Sequence, residues 1–199
     1  MPSRAAPSYW SRLAGTYDEE ADHGLGPDDV RRAWNDKLLA WLPRQRCDVV
    51  DLGCGTGSLS ILAAEQGHRV TGVDFADAMI ERAQEKASDA GVKVRFIVGD
   101  AATPPLPDAS VDVVLVRHVL WALPDPAAAI ARWRDAMRPG GRLVLVEGAS
   151  SSGAGLPSSE VTQLLTPYVE SAVVEHLDEP ALWGEEVDDQ RYVVHGLVP

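Results

Sequence analysis

The sequence predicts an α/β fold built on a parallel sheet, and three observations carry that expectation. Short apolar runs recur along the chain, amphipathic stretches of helical spacing separate most of them, and the first run breaks into a glycine-rich loop. The run 48–52, DVVDL, ends on glycines as a buried strand does where it turns into a ligand loop. Further runs at 70–74, 92–98, 111–116 and 142–147 read as strands, with helical stretches before the second, third and fifth strands. In 76–90, Met79, Ile80, Ala83 and Ala87 share one face, while Glu81, Glu85 and Lys86 lie off it. In 127–138, Ile130, Trp133 and Met137 do the same, and Pro139-Gly140-Gly141 should stop the helix. Ahead of the first strand, 27–42 opens on a proline and places Val30, Trp34, Leu38 and Trp41 on one face. The stretch 149–159, ASSSGAGLPSS, reads as a mobile loop, followed by a short helix near 160–168. Two final strands are expected at 171–177 and 191–198, joined by an acidic connector that carries Pro180 and Trp183.

Length and charge narrow the function classes. At 199 residues the chain suits one domain against a prior of about 150 residues per domain, and its 45% apolar content suffices for a core. Thirty acidic against 18 basic residues give a net charge of −12, which repels phosphate backbones and anionic lipid heads. Neither nucleic acid nor a membrane is an expected partner. No apolar window approaches the roughly 18–20 residues of a spanning helix, and the opening segment has no signal-peptide block, so a cytoplasmic protein is expected. Cys47 and Cys54 fall near opposite ends of the first strand, beyond disulfide reach, and no metal site is expected.

The loop Asp51-Leu52-Gly53-Cys54-Gly55-Thr56-Gly57 stands where the first strand should turn into a helix, which brings bare amides and a helix N-terminus to a ligand. The next strand ends in Asp74, close to the roughly 20-residue spacing at which an acid meets ribose hydroxyls. A nucleoside ligand is implied. Ser58 stands where the dinucleotide pattern G-x-G-x-x-G needs glycine, and Asp51 would repel a pyrophosphate but suit an ammonium group.

With DLGCGTG, VTGVDFADAMI, VGDA and the fourth and fifth strands in this order, the chain resembles the class I S-adenosylmethionine-dependent methyltransferases of the small-molecule type, strongly over 48–148. The resemblance implies a single-domain, Rossmann-like, doubly wound seven-stranded sheet with its last strand antiparallel, plus an N-terminal helical lid. Residues 1–42 would be the lid and first helix, 48–148 the cofactor core, and 149–199 the final strands and mouth loops. The implied cofactor is S-adenosylmethionine, and the product S-adenosylhomocysteine. Gly53 and Gly55 would let the backbone approach it, with Cys54 and Gly57 completing the loop and Asp51 taking its amino group. Asp74 would accept both ribose hydroxyls, and Phe75 and Met79 would flank the adenine, Met79 fitting a buried helix face equally well. Asp100 and the Ala101 amide would read the adenine edge, a plain cap or turn role being the alternative for Asp100, and Arg117 joins the cofactor set. Ala76 stands where the family often has Ser, so Asp77 is expected to supply the helix cap.

In a parallel sheet the crevice lies at the carboxyl ends of the strands, so the segments 117–125, 148–157 and 178–190 with the N-terminal lid should form the mouth. Tyr17, Trp10, Trp121 and Trp183 fall there and are the candidate contacts to a small-molecule methyl acceptor, or anchors of loops on the core. Trp34, Trp41 and Trp133 read as core. If the acceptor must lose a proton, His118 is the best-placed base and His23 the second, although a lone His at a strand end is more often a hydrogen-bonded structural residue. His68, His176 and His195 read as structural. Acidic residues crowd 18–29 and 175–189, as a solvated rim or as a field that steers cations.

The expected reaction is methylation at oxygen or nitrogen, with a carbon acceptor or a non-catalytic cofactor-binding module as alternatives. A nicotinamide oxidoreductase is disfavoured by Ser58 and Asp51. Arg117-His118-Val119-Leu120 occupies the place of the Asn-Pro-Pro-Tyr signature of nucleic-acid methylation. The sequence assigns no oligomeric state.

Overall fold

The computed structural model describes residues 6–150 and 155–199. The chain runs α1 (Pro7–Leu13), α2 (Ala21–Gly24), α3 (Asp28–Trp41), β1 (Asp48–Leu52), α4 (Ser58–Glu65), β2 (Arg69–Asp74), α5 (Asp77–Asp89), β3 (Val94–Val98), β4 (Val111–Arg117), α6 (Pro126–Ala136), β5 (Met137–Ala149), α7 (Ser158–Leu165), β6 (Val173–His176), α8 (Pro180–Trp183) and β7 (Gln190–Leu197). One seven-stranded sheet takes the order β3-β2-β1-β4-β5-β7-β6. The first five strands pair in parallel, and β7 runs antiparallel to both β5 and β6. The winding direction reverses between β1 and β4, and that switch point opens a crevice at their carboxyl ends.

Alternate residues of the central strands feed two cores, as expected of strands covered on both faces. Val113, Leu115, Val144 and Val146 pack with Trp34, Trp41 and Trp183 on one side. Val114, Val116, Leu143 and Leu145 pack with Ile130 and Trp133 on the other. The buried indoles satisfy their N–H groups: Trp34 donates to the Leu182 carbonyl and Trp133 to that of Ala101, both at 2.7 Å.

Several boundaries differ from the sequence reading. Helix α6 stops at Ala136, and Pro139-Gly140-Gly141 lies inside β5 instead of after the helix. Gly140 takes φ +75°, and the β4–β5 register shifts between Val111 and Val113, so the three residues form a bulge. Strand β3 starts at Val94 because the Val92 N–H is spent on the Ala87 carbonyl, closing α5. No side chain caps α5 from Ala76; Asp77 accepts the Ala78 N–H instead. The acidic connector contains a helix, α8, which sequence alone showed only as a proline and a tryptophan. Four residues of the expected 149–159 loop lie outside the described residues; at its described ends Ala149 bridges Gly155.

Candidate active site

Strand β1 hands over to α4 through three glycines, Gly53, Gly55 and Gly57, at φ +70°, +54° and +80°. Other residues enter that region only at about 1–2 kcal/mol each. A Cβ on Gly53 would overlap Val119 Cγ2, so the loop also packs against the turn after β4. The Gly53 and Cys54 N–H groups donate to the Val73 carbonyl at 2.7 and 3.0 Å, which ties the loop to β2. Asp74, the last residue of β2, accepts the Gly55 N–H on Oδ2 and the Ala76 N–H on Oδ1, both at 2.9 Å. Each oxygen keeps a lone pair for a ligand. Burial raises the Asp74 carboxyl above its usual range. Asp51 is 2% exposed and accepts the Ser60 hydroxyl at 2.6 Å. Burial pushes its carboxyl up to about 6, against the Ser60 hydrogen bond and the Arg117 charge.

The switch point opens into a cavity of about 680 Å³, within the roughly 300–1,000 Å³ of small-ligand sites. One end is walled by Gly53, Gly55, Asp74, Phe75, Met79, Asp100 and Ala101. Trp10, Tyr17, His23, Arg117, His118 and Trp121 also line it. A recess shared with Gly53, Gly55, Arg117 and His118 reaches Asp51 and Cys54. Most of the residues expected from sequence are thus brought together. Met79 is 1% exposed and serves core and wall at once. Gly57 is on neither wall; its bare Cα admits Ala83 and Phe96, which a Cβ would meet at 3.0 Å.

Trp183 requires a correction. It is not a mouth residue: α8 inserts it into the core at 3% exposure, edge-on to Trp34 at 5.4 Å, with its N–H on the Leu177 carbonyl at 2.7 Å. The Trp183 ring backs the site from below, 6.0 Å from the His118 ring.

The N-terminal segment covers the glycine loop. Tyr17 stacks on His23 at 4.2 Å and meets Trp10 edge-on at 6.2 Å. Lys86 of α5 pairs with Asp18 at 2.8 Å and donates to Thr56 and Ser58, whose hydroxyls donate in turn to Asp18 and to the His23 carbonyl. Farther out, Ser11 donates to Asp77 at 2.9 Å. The acidic segments are thus partly neutralised by the chain's own cations, since Glu175 and Glu179 also pair with Lys37 at 2.6 and 2.8 Å. Among the described residues, no cluster of three His, Cys, Asp or Glu side chains could hold a metal. No described helix is long and apolar enough to cross a membrane.

His118 sits just past β4 at φ +57°. Its Nε2 is buried without a hydrogen-bond partner among the described residues. Burial, then the charges of Arg117 and Arg191, hold its imidazole well below the usual range, so it is neutral at pH 7 and a weak base. Two residues escaped the sequence reading. Glu147 of β5 is fully buried and accepts the Val119 and Leu120 N–H groups at 2.9 and 2.8 Å, clamping the turn that carries His118. Arg191 of β7 reaches the cavity wall opposite Gly148. Both depend on strand pairings that no local spacing signals.

The family model described as a methyltransferase domain matches residues 50–145. Over those residues the chain is similar to the S-adenosylmethionine-dependent methyltransferases. The chain is 35% identical over 150 residues to aklanonic acid methyltransferase of Streptomyces sp. strain C5, covering 72% of this chain and 65% of that one. It is 39% identical over 139 residues to the 27-O-demethylrifamycin SV methyltransferase of Amycolatopsis mediterranei strain S699, covering 65% and 51%. The chain therefore spans between about half and two thirds of these relatives' length. Its fold matches magnesium protoporphyrin IX methyltransferase of Synechocystis PCC 6803, solved with bound S-adenosylmethionine, at TM-score 0.68 and 22% identity, over 86% of this chain and 80% of that one.

Proposed function

We propose that the chain transfers a methyl group from S-adenosylmethionine to a small-molecule acceptor at oxygen or nitrogen, leaving S-adenosylhomocysteine. The observation that carries this reading is Asp74: a buried carboxylate at the end of β2, tied to the Gly55 amide, on the wall of a cavity with aromatic residues at its rim. Its free lone pairs suit two ribose hydroxyls. Phe75 and Met79 suit an adenine ring, and Asp100 with the Ala101 amide suits its polar edge. In the recess, Asp51 suits an ammonium group and Arg117 a carboxylate.

When bound, the cofactor supplies a methyl already activated on a sulfonium. The protein's work is then alignment and exclusion of water. Tyr17, Trp10 and Trp121 supply aromatic contact area for the acceptor, and the N-terminal segment closes the site. His118, neutral and buried, can accept a hydrogen bond from an acceptor, while its low basicity makes it a poor sink for a full proton. The names of both relatives, with aklanonic acid and a demethylrifamycin as acceptors, support a small-molecule substrate.

Calorimetric titration with S-adenosylmethionine, S-adenosylhomocysteine and a nicotinamide dinucleotide tests the reading. Binding of the first two alone is expected; binding of the dinucleotide alone, or of none, overturns it. Asp74→Asn should weaken the S-adenosylhomocysteine complex and leave folding intact.

A further inference from the structure

We propose that Arg191 is the acceptor-recognition residue of this cavity and that the acceptor is an apolar or aromatic acid held by its carboxylate. The inference rests on the methyl-transfer reading and adds to it the chemical class of the acceptor.

The position of Arg191 separates it from the cofactor's polar groups. It lies on β7 in register with Gly148 near the carboxyl end of β5, and it lines the main cavity. It does not line the recess that holds Asp51 and Arg117. A cofactor's own carboxylate therefore has another cation at hand, which leaves Arg191 for a second ligand. Its surroundings are shaped for a guanidinium. A Cβ on Gly148 would stand 2.9 Å from Arg191 Nη1, so a glycine opposite makes the room. The guanidinium lies 5.2 Å over the ring of Trp183, itself fixed in the core, which gives it a rigid backing.

The hydrogen-bonding capacity of Arg191 is poorly used within the chain. Its Nε is buried with no partner among the described residues. Its ion-pair partner Asp189 lies at 3.9 Å, too far for a hydrogen bond. A planar guanidinium presents donors in a fork that matches a carboxylate. Glu20 and Asp189 also line the cavity; Glu20 is solvent-exposed, and Asp189 falls short of the guanidinium by that distance.

The neighbours agree. Burial, and then the charges of Arg117 and Arg191, disfavour an imidazolium at His118. An acceptor that brought a proton to His118 would place a further positive charge among them, whereas a carboxylate brings the opposite sign. The remaining wall, Tyr9, Trp121, Leu123 and Pro124, offers an apolar bed for the body of such an acid.

The test uses the full chain saturated with S-adenosylhomocysteine and titrated calorimetrically with 1-naphthoate and with 1-naphthamide, which differ only in the charged group. Wild type should bind the acid roughly tenfold or more tightly than the amide, the scale of one charge-assisted pair. Arg191→Gln should abolish that preference with S-adenosylhomocysteine affinity unchanged, which also shows that the variant is folded. Arg191→Lys should restore part of it. Equal affinity for acid and amide, no binding of either, or a preference that survives Arg191→Gln overturns the inference. Failure of wild type to bind S-adenosylhomocysteine at all removes the methyl-transfer reading itself, and this inference with it.

Discussion

At the β1–β2 end of the cavity the wall is largely backbone: two glycines at positive φ, Gly53 and Gly55, amides donated to Val73 and Asp74, and one carboxylate fixed by its own loop. At the β5–β7 end it is side chains from distant segments: His118 from β4, Arg191 from β7, and Trp121 from the turn between β4 and α6, supported below by Glu147 and Trp183. A backbone site needs a particular local sequence and tolerates little variation. A side-chain site can change its residues while the strands beneath stay in place. The contrast explains how one sheet can hold one nucleoside site and present varied acceptor surfaces.

The largest expected effect separates support from contact at the second end. Trp183→Ala should lower folding stability by about 3–5 kcal/mol, as loss of a buried indole does. Trp121→Ala, on the partly exposed wall, should cost about 1 kcal/mol or less in the same urea melts and act instead on acceptor binding. Equal destabilisation by the two would erase the distinction between floor and wall.

The next concerns Glu147, whose carboxyl burial pushes up from 4.5 to about 7, against the two amide hydrogen bonds. With its folded value above its unfolded one, the unfolded chain releases the proton first. Stability is therefore fully retained below about 4.5, falls as pH rises toward 7, and is flat above. At 1.36 kcal/mol per unit the loss is on the order of 3 kcal/mol. Glu147→Gln should lower the slope of denaturation midpoints measured between pH 4.5 and 8, leaving the part supplied by the raised Asp51 carboxyl; an unchanged slope would place its cause elsewhere.

At the first end, Asp74→Ala should cost roughly 1.5–3 kcal/mol of S-adenosylhomocysteine affinity, the scale of hydrogen bonds to a charged group. Wild-type affinity in that variant would break the claim that this end is built around Asp74. The smallest effect is expected at the cover. Lys86→Met should change global stability by about 1 kcal/mol or less. It should nonetheless speed proteolytic cleavage of the N-terminal segment, and equal cleavage rates would show that Asp18 and Thr56 hold the segment without it.

The same contrast decides what could be read in advance. The succession of strands and helices, the glycine loop, the place of Asp74 at the end of β2 and the Trp34–Trp41 helix face were legible because each follows from local spacing or from a motif of contiguous residues. Arg191 and Glu147 were not, because their meaning arises only when β7 pairs with β5 and β5 lies beside the turn after β4. Trp183 was misplaced for a related reason. A four-residue helix among acidic residues has too short a periodic pattern to announce that one side chain turns inward. Pro139-Gly140-Gly141 reads as a helix stop in any local scheme, and only the partner strand makes it a bulge.

The contacts of the N-terminal segment bear on timing. Tyr17 lies over Gly55, and Asp18 and the His23 carbonyl are held by Lys86, Thr56 and Ser58. Thr56 and Ser58 belong to the loop and helix start that border the nucleoside end. Lifting the segment from this end parts an ion pair and its hydroxyl links together. On the methyl-transfer reading, exchange of a spent nucleoside is coupled to that opening.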